Sequence, residues 1–363
     1  MAAADLEGFI GEVTGESHLR VEEDLGGGFV RLRTSEAERR QAQQDIRCSE
    51  DVVLELLRNA RDAGARMICI ATNREGPLRN ITVIDDGEGI PRDMWQKVFE
   101  PRVTSRLDSF HDDQWGVHGR GMALFSIASN ACLARVVSSG EGLGTALAVQ
   151  TDVTSLGEKT DQSTIPRLII DESGRQIVRG PRNISRIVME FTLVQRGSCV
   201  VYLGTPNEVV ATLVDYGNRV LSAFERAFAQ SEEDFPVCLR PAFAATPSEL
   251  AESAAGLGLS ISERSARRIL DGEIAPLPPF ASVVTAASRE QGKSPKRAPK
   301  RMKAARIHVS AEDRDEFANC VGEAYGSLAR KYYLDAEVNP AVRVAQDGLH
   351  VFIPFIPADD GME

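Results

Sequence analysis

The sequence contains no run of about 18 apolar residues, the length a membrane helix requires. It also lacks a positively charged leader followed by an apolar stretch behind Met1. Neither a membrane span nor a secretory signal is therefore expected, and the expected location is the cytoplasm. The six cysteines, Cys48, Cys69, Cys132, Cys199, Cys238 and Cys320, include no CxxC pair. Several sit in apolar segments, where a thiol acts as a small hydrophobe, so neither disulfides nor zinc are expected. A P-loop is missing too, which excludes a phosphate site of the GxxxxGK[ST] kind. Positive charge is in deficit: 42 Lys and Arg against 53 Asp and Glu give a net charge of −11. That argues against a surface that coats nucleic acid all over. What is present is ordinary for a globular protein, 42% hydrophobic and 26% charged over 363 residues, and long enough for two domains.

Three stretches between Glu55 and Gly121 carry chemistry. The first is Glu55-Leu-Leu-Arg-Asn59-Ala-Arg-Asp62-Ala-Gly64. On a helix Glu55, Asn59 and Asp62 share a polar stripe beside an apolar one of Leu56, Ala60, Ala63 and Met67. Asn59 can offer an oxygen to a hydrated Mg²⁺, and Glu55 can take a proton from an attacking water. The same stripe also fits an ordinary solvated helix face. In the second stretch Asn80 to Asp85 alternates as a strand and runs into Asp86-Gly87-Glu88-Gly89-Ile90-Pro91. Its glycines let backbone approach a ligand closely, and a carboxylate ending a buried strand needs a donor such as the exocyclic amine of adenine. The third, Trp115-Gly116-Val117-His118-Gly119-Arg120-Gly121, feeds an apolar helix whose first N–H groups suit an anion.

In this order and spacing the three stretches resemble the boxes of the GHKL superfamily: gyrase B subunits, MutL proteins, topoisomerase VI B subunits, Hsp-type ATPase chaperones and histidine kinases. Glu55-x-x-x-Asn59-x-x-Asp62-Ala is similar to the N box, Asp85-x-Gly87-x-Gly89 to the G1 box and Gly116-x-x-Gly119-x-Gly121 to the G2 box. Phe99-Glu-Pro-Arg-Val-Thr104-Ser105-Arg106 is similar to the MutL-type Thr-Ser-Lys that opens the ATP lid, with Arg in place of Lys. The resemblance covers roughly residues 45 to 195. It implies a Bergerat fold, an α/β sandwich with helices on one face of a mixed, mostly antiparallel sheet; the residues beyond it read by their own pattern as a helical and small α/β C-terminal part.

The resemblance also implies roles. Glu55 becomes the general base of an ATPase, Asn59 the Mg²⁺ ligand and Asp85 the reader of adenine. Gly89 and Thr145 complete the adenine pocket, partly through water. Thr104, Ser105, Gly119 and Gly121 hold phosphate, with Arg106 and Arg120 as its charge partners or as solvated lid surface. Asp62, Gly87 and Gly116 belong to the same boxes. ATP and Mg²⁺ are the implied cofactors, and relatives in the gyrase, MutL and topoisomerase branches imply an ATP-dependent homodimer. A histidine kinase is disfavoured because Ser17-His18-Leu19-Arg20 lacks the downstream Pro and the upstream dimerisation helix of a phosphoacceptor.

Along the chain, the sequence predicts an ATP-binding domain over 1–200 and a mainly helical region over 201–285. A basic flexible linker over 286–306 and a small α/β unit over 307–363 follow. Within the first, the pattern predicts a helix from Pro91 to Val98 and makes Ile187 to Val194 the sheet's last long strand. Thr246-Pro-Ser-Glu249 and Ser262-Glu-Arg-Ser-Ala-Arg-Arg-Ile-Leu270 open two helices. They suit a plain hairpin or a DNA-reading helix-turn-helix with Arg264, Arg267 and Arg268 on its second helix. Arg289 to Arg306 holds eight basic residues against Glu290, a local +7 that leaves −18 for the remainder. This segment suits salt-sensitive phosphate contacts or a solubilising tether. Two functions stay open: an ATP-hydrolysing clamp on DNA, through 262–270 and 289–306, and a protein-directed ATP switch or chaperone-like remodeller without nucleic acid.

Overall fold

The computed structural model describes residues 21–105, 111–113, 116–118, 121–170, 176–195, 197–229, 231–283 and 310–329, and from the tail 331, 334–336, 338–344, 349–354 and 356. Two compact units emerge, Met1–Gly292 and Lys293–Glu363.

The first unit is built on a five-stranded sheet of order β12-β3-β4-β9-β8, formed by β3 (Met67–Glu75), β4 (Leu78–Asp85), β8 (Leu133–Ser139), β9 (Thr145–Asp152) and β12 (Val200–Gly204). Only β12 runs parallel to its neighbour, so the sheet is mixed and mostly antiparallel. Successive residues of a strand face opposite sides. In β3 the residues Ile68 and Ile70 join one core and Met67, Cys69 and Ala71 another, all of them buried. Because both sides are apolar, both need cover.

On the first face lie α2 (Ser49–Asp62), α3 (Ala123–Asn130) and α4 (Ile184–Val194), which contribute Val53, Leu57, Ile127 and Phe191. Before α2 come β1 (Val21–Gly26), β2 (Phe29–Leu32) and α1 (Glu36–Asp45), the helix entered by a Ser35–Glu38 capping box. Helix α2 begins with Glu50 and Asp51, favourable at a positive helix end, and stops where Gly64 adopts φ +72°. Opposite them, α5 (Pro206–Val220), α7 (Pro247–Gly256) and α8 (Glu263–Leu270) cover the second face with Val209, Leu213, Leu250 and Ile269. Helices were expected on one face; the region after residue 200 supplies a second layer on the other. The short helix α6 (Ala223–Phe228) links α5 to it. Strand β12, which starts at the boundary expected near residue 200, is part of the sheet.

Two sequence readings are corrected. Ile187 to Val194 is helix, not strand: it belongs to α4, whose N-cap Asn183 accepts from the Arg186 N–H at 2.9 Å. Its alternation is an accident of a segment that is apolar almost throughout. The helix predicted from Pro91 to Val98 is instead two single 3₁₀ turns, Arg92–Met94 and Lys97–Phe99.

Short strands complete this unit: β5 (Val103–Thr104) on β2, the pair β6 (His111–Asp113) with β7 (Gly116–His118), and β10 (Arg167–Ile170) with β11 (Gln176–Arg179). In the second unit, α9 (Ala311–Ala329) accompanies an antiparallel pair, β13 (Ala341–Val344) with β14 (Leu349–Phe352). The basic segment and the first residues of the expected small α/β unit, 307–309, lie outside the described residues. Among the described residues no helix is long and apolar enough to cross a membrane.

Candidate functional site

Between α2, the end of β4, the start of β9 and β5 lies a half-open cleft, with about 1020 Å³ of empty space when the open solvent at its mouth is included. Its lining includes Glu55, Asn59, Asp62, Asp85, Gly89, Thr104, Ser105, Gly121 and Thr145. Nine residues singled out by spacing or by the family resemblance therefore meet in one place, drawn from five separate parts of the chain. Gly87 stands behind the lining, where an added Cβ would lie 2.7 Å from the Ala63 carbonyl oxygen. Gly116 pairs with Asp113 in the β6–β7 ladder. Arg106, Gly119 and Arg120 lie outside the described residues.

Helix α2 sets one wall. Glu55 is paired with Arg58 at 2.6 Å, and Arg61 with Asp62 at 2.8 Å. Asn59 stands between these pairs, and its buried amide nitrogen finds no hydrogen-bond partner in the protein. A buried amide left unmatched is unfavourable by about 1–3 kcal/mol, so the position fits a residue that acquires a partner with a ligand.

The other end is closed by two adjacent carboxylates with different duties. Asp86 turns to the sheet and accepts from the Arg66 and Met67 N–H groups, both at 2.7 Å. Asp85 turns to the cleft, 3% exposed, and accepts from the Gly87 N–H at 2.9 Å. Burial pushes its carboxyl up to about 7; the Gly87 hydrogen bond pulls it back and the Asp86 charge adds to the rise. Across the β4–β9 ladder its partner is Thr145. Loops 86–90 and 140–144 interlock here through backbone: Gly142 donates to the Glu88 carbonyl at 2.7 Å. At Gly89, with φ +78°, an added Cβ would fall 1.8 Å from the Gly140 oxygen.

The start of α3 forms the third side. Gly121, at φ +66°, Ala123 and Leu124 border the cleft, and the helix entry carries no side-chain cap. Its first N–H groups are thus available to an anion. Thr104 and Ser105 border the same cleft, positioned by the pairing of Thr104 with Val30.

Sequence reasoning missed Arg58, which occupies a variable position of the first motif but supplies the salt bridge to Glu55. It also missed Leu147, although two residues beyond Thr145 on a strand is the same face. Ser139 had no signal at all. Among the described residues no three His, Cys, Asp or Glu cluster as a metal cage.

A two-faced α/β sandwich with a glycine-bordered cleft, a buried aspartate at one end and an open helix start at the other defines a nucleotide-type site. Comparison with known proteins makes the class specific. Residues 46–177 match the family model described as "Histidine kinase-, DNA gyrase B-, and HSP90-like ATPase". The chain is 40% identical over 102 residues to "DNA mismatch repair protein MutL" of Listeria monocytogenes, which covers 27% of this chain and 17% of that protein. It is 33% identical over 120 residues to the protein of the same description from Staphylococcus aureus strain Newman, covering 32% and 18% respectively. This part of the chain is a GHKL-superfamily ATPase domain. The chain spans less than a fifth of the length of these curated relatives, at 17% and 18%.

Proposed function

We propose that the protein binds ATP with Mg²⁺ and hydrolyses it, and that nucleotide occupancy drives a conformational clamp acting on DNA. The observation that carries the reading is the convergence of Glu55, Asn59, Asp85 and Thr145 on one cleft from separate elements. The residues fit the group: Asn59 lines the cleft, its unpartnered buried amide nitrogen can donate to a phosphate oxygen or a water, and its side-chain oxygen is enough for a Mg²⁺ that keeps waters and phosphate ligands. Bound there with the nucleotide, Mg²⁺ supplies neutralisation of phosphate charge.

The protein's own groups do the rest. Asp85 and Thr145 hold the base, Gly89 letting the backbone close on it. The N–H groups after Gly121, with Thr104 and Ser105 and with Arg106, Gly119 and Arg120 from the lid, hold the phosphates. Asn59 directs its side-chain oxygen to the metal. Glu55, kept in place by Arg58, accepts a proton from water as that water attacks the terminal phosphorus. Asp62, paired with Arg61, lines the cleft on the same helix as Asn59.

DNA is the favoured client because the listerial and staphylococcal relatives are described as DNA mismatch repair proteins. In addition, Arg264 and Arg267 of α8 are exposed while Ala266 and Ile269 anchor that helix in the core. The basic segment 289–306 adds sequence-independent phosphate contacts. We further propose a homodimer closed by ATP and a cytoplasmic location. The alternative, a protein-directed switch, draws on the net charge of −11.

The test is steady-state hydrolysis by wild type and Glu55→Gln, with nucleotide binding measured in parallel and with duplex DNA at two salt concentrations. Turnover falling at least about 100-fold while binding persists is the expected result. Binding without turnover in wild type refutes the catalytic assignment, and turnover indifferent to DNA at both salts favours the protein-directed reading.

A further inference from the structure

Ser139 ends β8 where the two interlocked loops meet behind Asp85. Its hydroxyl has three neighbours. The Ile90 N–H donates to Oγ at 2.7 Å, the Gly144 carbonyl oxygen lies 2.8 Å away, and Thr145 Oγ1 lies 3.1 Å away. A serine has one proton to give and two lone pairs to offer. A carbonyl oxygen only accepts, so the Ser139 proton goes to Gly144. Ile90 takes one lone pair of Oγ. The remaining lone pair is matched only if Thr145 donates its own single proton. Thr145, 4% exposed, is then left with lone pairs alone at the closed end of the cleft. Its ladder partner Asp85, as a carboxylate, accepts as well.

We propose that Ser139 is a specificity-determining positioning residue: by accepting the hydrogen bond of the Thr145 hydroxyl it leaves Thr145 and ionised Asp85 together as an acceptor surface at the closed end of the cleft. That surface selects a purine with an amine at the six position over one with a carbonyl there. The proposal rests on the nucleotide reading above. An amine donates to such a surface, whereas a carbonyl meets lone pair against lone pair. Removing the Ser139 hydroxyl frees the Thr145 proton, which can then turn to a carbonyl.

The experiment compares equilibrium binding of ATP and of ITP, its six-carbonyl analogue, to the full chain with Mg²⁺. The variants are Ser139→Ala, Ser139→Cys, Thr145→Val and the double variant Ser139→Ala/Thr145→Val. Measurement at pH 8 keeps Asp85 ionised. Wild type prefers ATP, and Ser139→Ala lowers the ATP-to-ITP preference about tenfold, the scale of one mismatched buried hydrogen bond. Ser139→Cys, close in size but a weak donor and acceptor, lowers it in the same direction and serves if the alanine variant does not fold. In the Thr145→Val background Ser139→Ala leaves the ratio unchanged, since no threonine proton remains to be directed. Equal weakening of both nucleotides with the ratio preserved makes Ser139 merely structural and overturns the proposal. So does a ratio that falls equally in both backgrounds. Wild type that binds ATP without preference sinks the proposal alone, and wild type that binds neither sinks the nucleotide reading with it.

Discussion

Replacing Asp85 by Asn is expected to make the nucleotide-free protein more stable while weakening nucleotide binding. In an unfolded chain this carboxyl releases its proton near 3.8, whereas in the fold burial holds it to about 7. Between those values the folded state binds more protons than the unfolded one. Stability therefore falls as pH rises from about 4 to about 7 and is level above. At roughly 1.4 kcal/mol per pH unit, the interval corresponds to about 4 kcal/mol forfeited at neutral and higher pH. Asparagine carries no charge and can keep the Gly87 hydrogen bond through its oxygen, but its amide nitrogen needs a partner, at about 1–3 kcal/mol if it finds none. A net gain of about 1–3 kcal/mol for Asp85→Asn at pH 8 follows. Urea unfolding of both proteins at pH 5, 6.5 and 8, without nucleotide, measures it. The advantage of the variant should shrink steadily toward pH 5. A variant less stable than wild type at pH 8, or a difference that does not depend on pH, refutes the reasoning.

Gly89→Ala should lower stability by about 2–5 kcal/mol, from left-handed backbone strain plus overpacking against Gly140, whose oxygen lies 1.8 Å from the added carbon. A thermal midpoint equal to that of wild type contradicts the loop interlock. Leu213→Ala, at a fully buried site of the second core, should cost about 2–5 kcal/mol. Because that core shares β3, β4 and β9 with the first, tryptophan fluorescence and far-ultraviolet dichroism should still report one transition. A separate early melt of the helical layer counts against a common sheet.

The legible parts of the molecule are those where local spacing and tertiary position coincide. Glu55, Asn59 and Asp62 are one helix face wherever that helix packs, and Asp85 with its glycines marks a strand end in any context. Ile187 to Val194 was misread because eight residues with only Glu190 and Thr192 polar carry no usable period, and β-branched content favoured a strand. Asn183 and the packing of Ile187, Val188 and Phe191 against α2 and the sheet decide for helix. The second helical layer was legible as helices but not as a layer, since its placement depends on Met67, Cys69 and Ala71 being as buried as Ile68 and Ile70. Ser139 was illegible for a different reason. Its partners Ile90 and Gly144 lie 49 and 5 residues away, and a lone serine in a strand carries no signal of either.

The interlock of loops 86–90 and 140–144 has a consequence for anyone wishing to re-engineer the cleft with modified nucleotides. The usual strategy enlarges a pocket by trimming one bulky side chain and then supplies an analogue with a matching bump. Around Asp85 there is little to trim: Gly89 and Gly144 already have no side chain, and an atom added at Gly144 would fall 2.1 Å from the Asp85 carbonyl oxygen. With the base seated at Asp85 as proposed above, a purine extended at its amine would meet main chain, which no substitution removes. Orthogonal analogues for this protein should therefore carry their modification at the ribose or phosphate end, toward the mouth of the cleft.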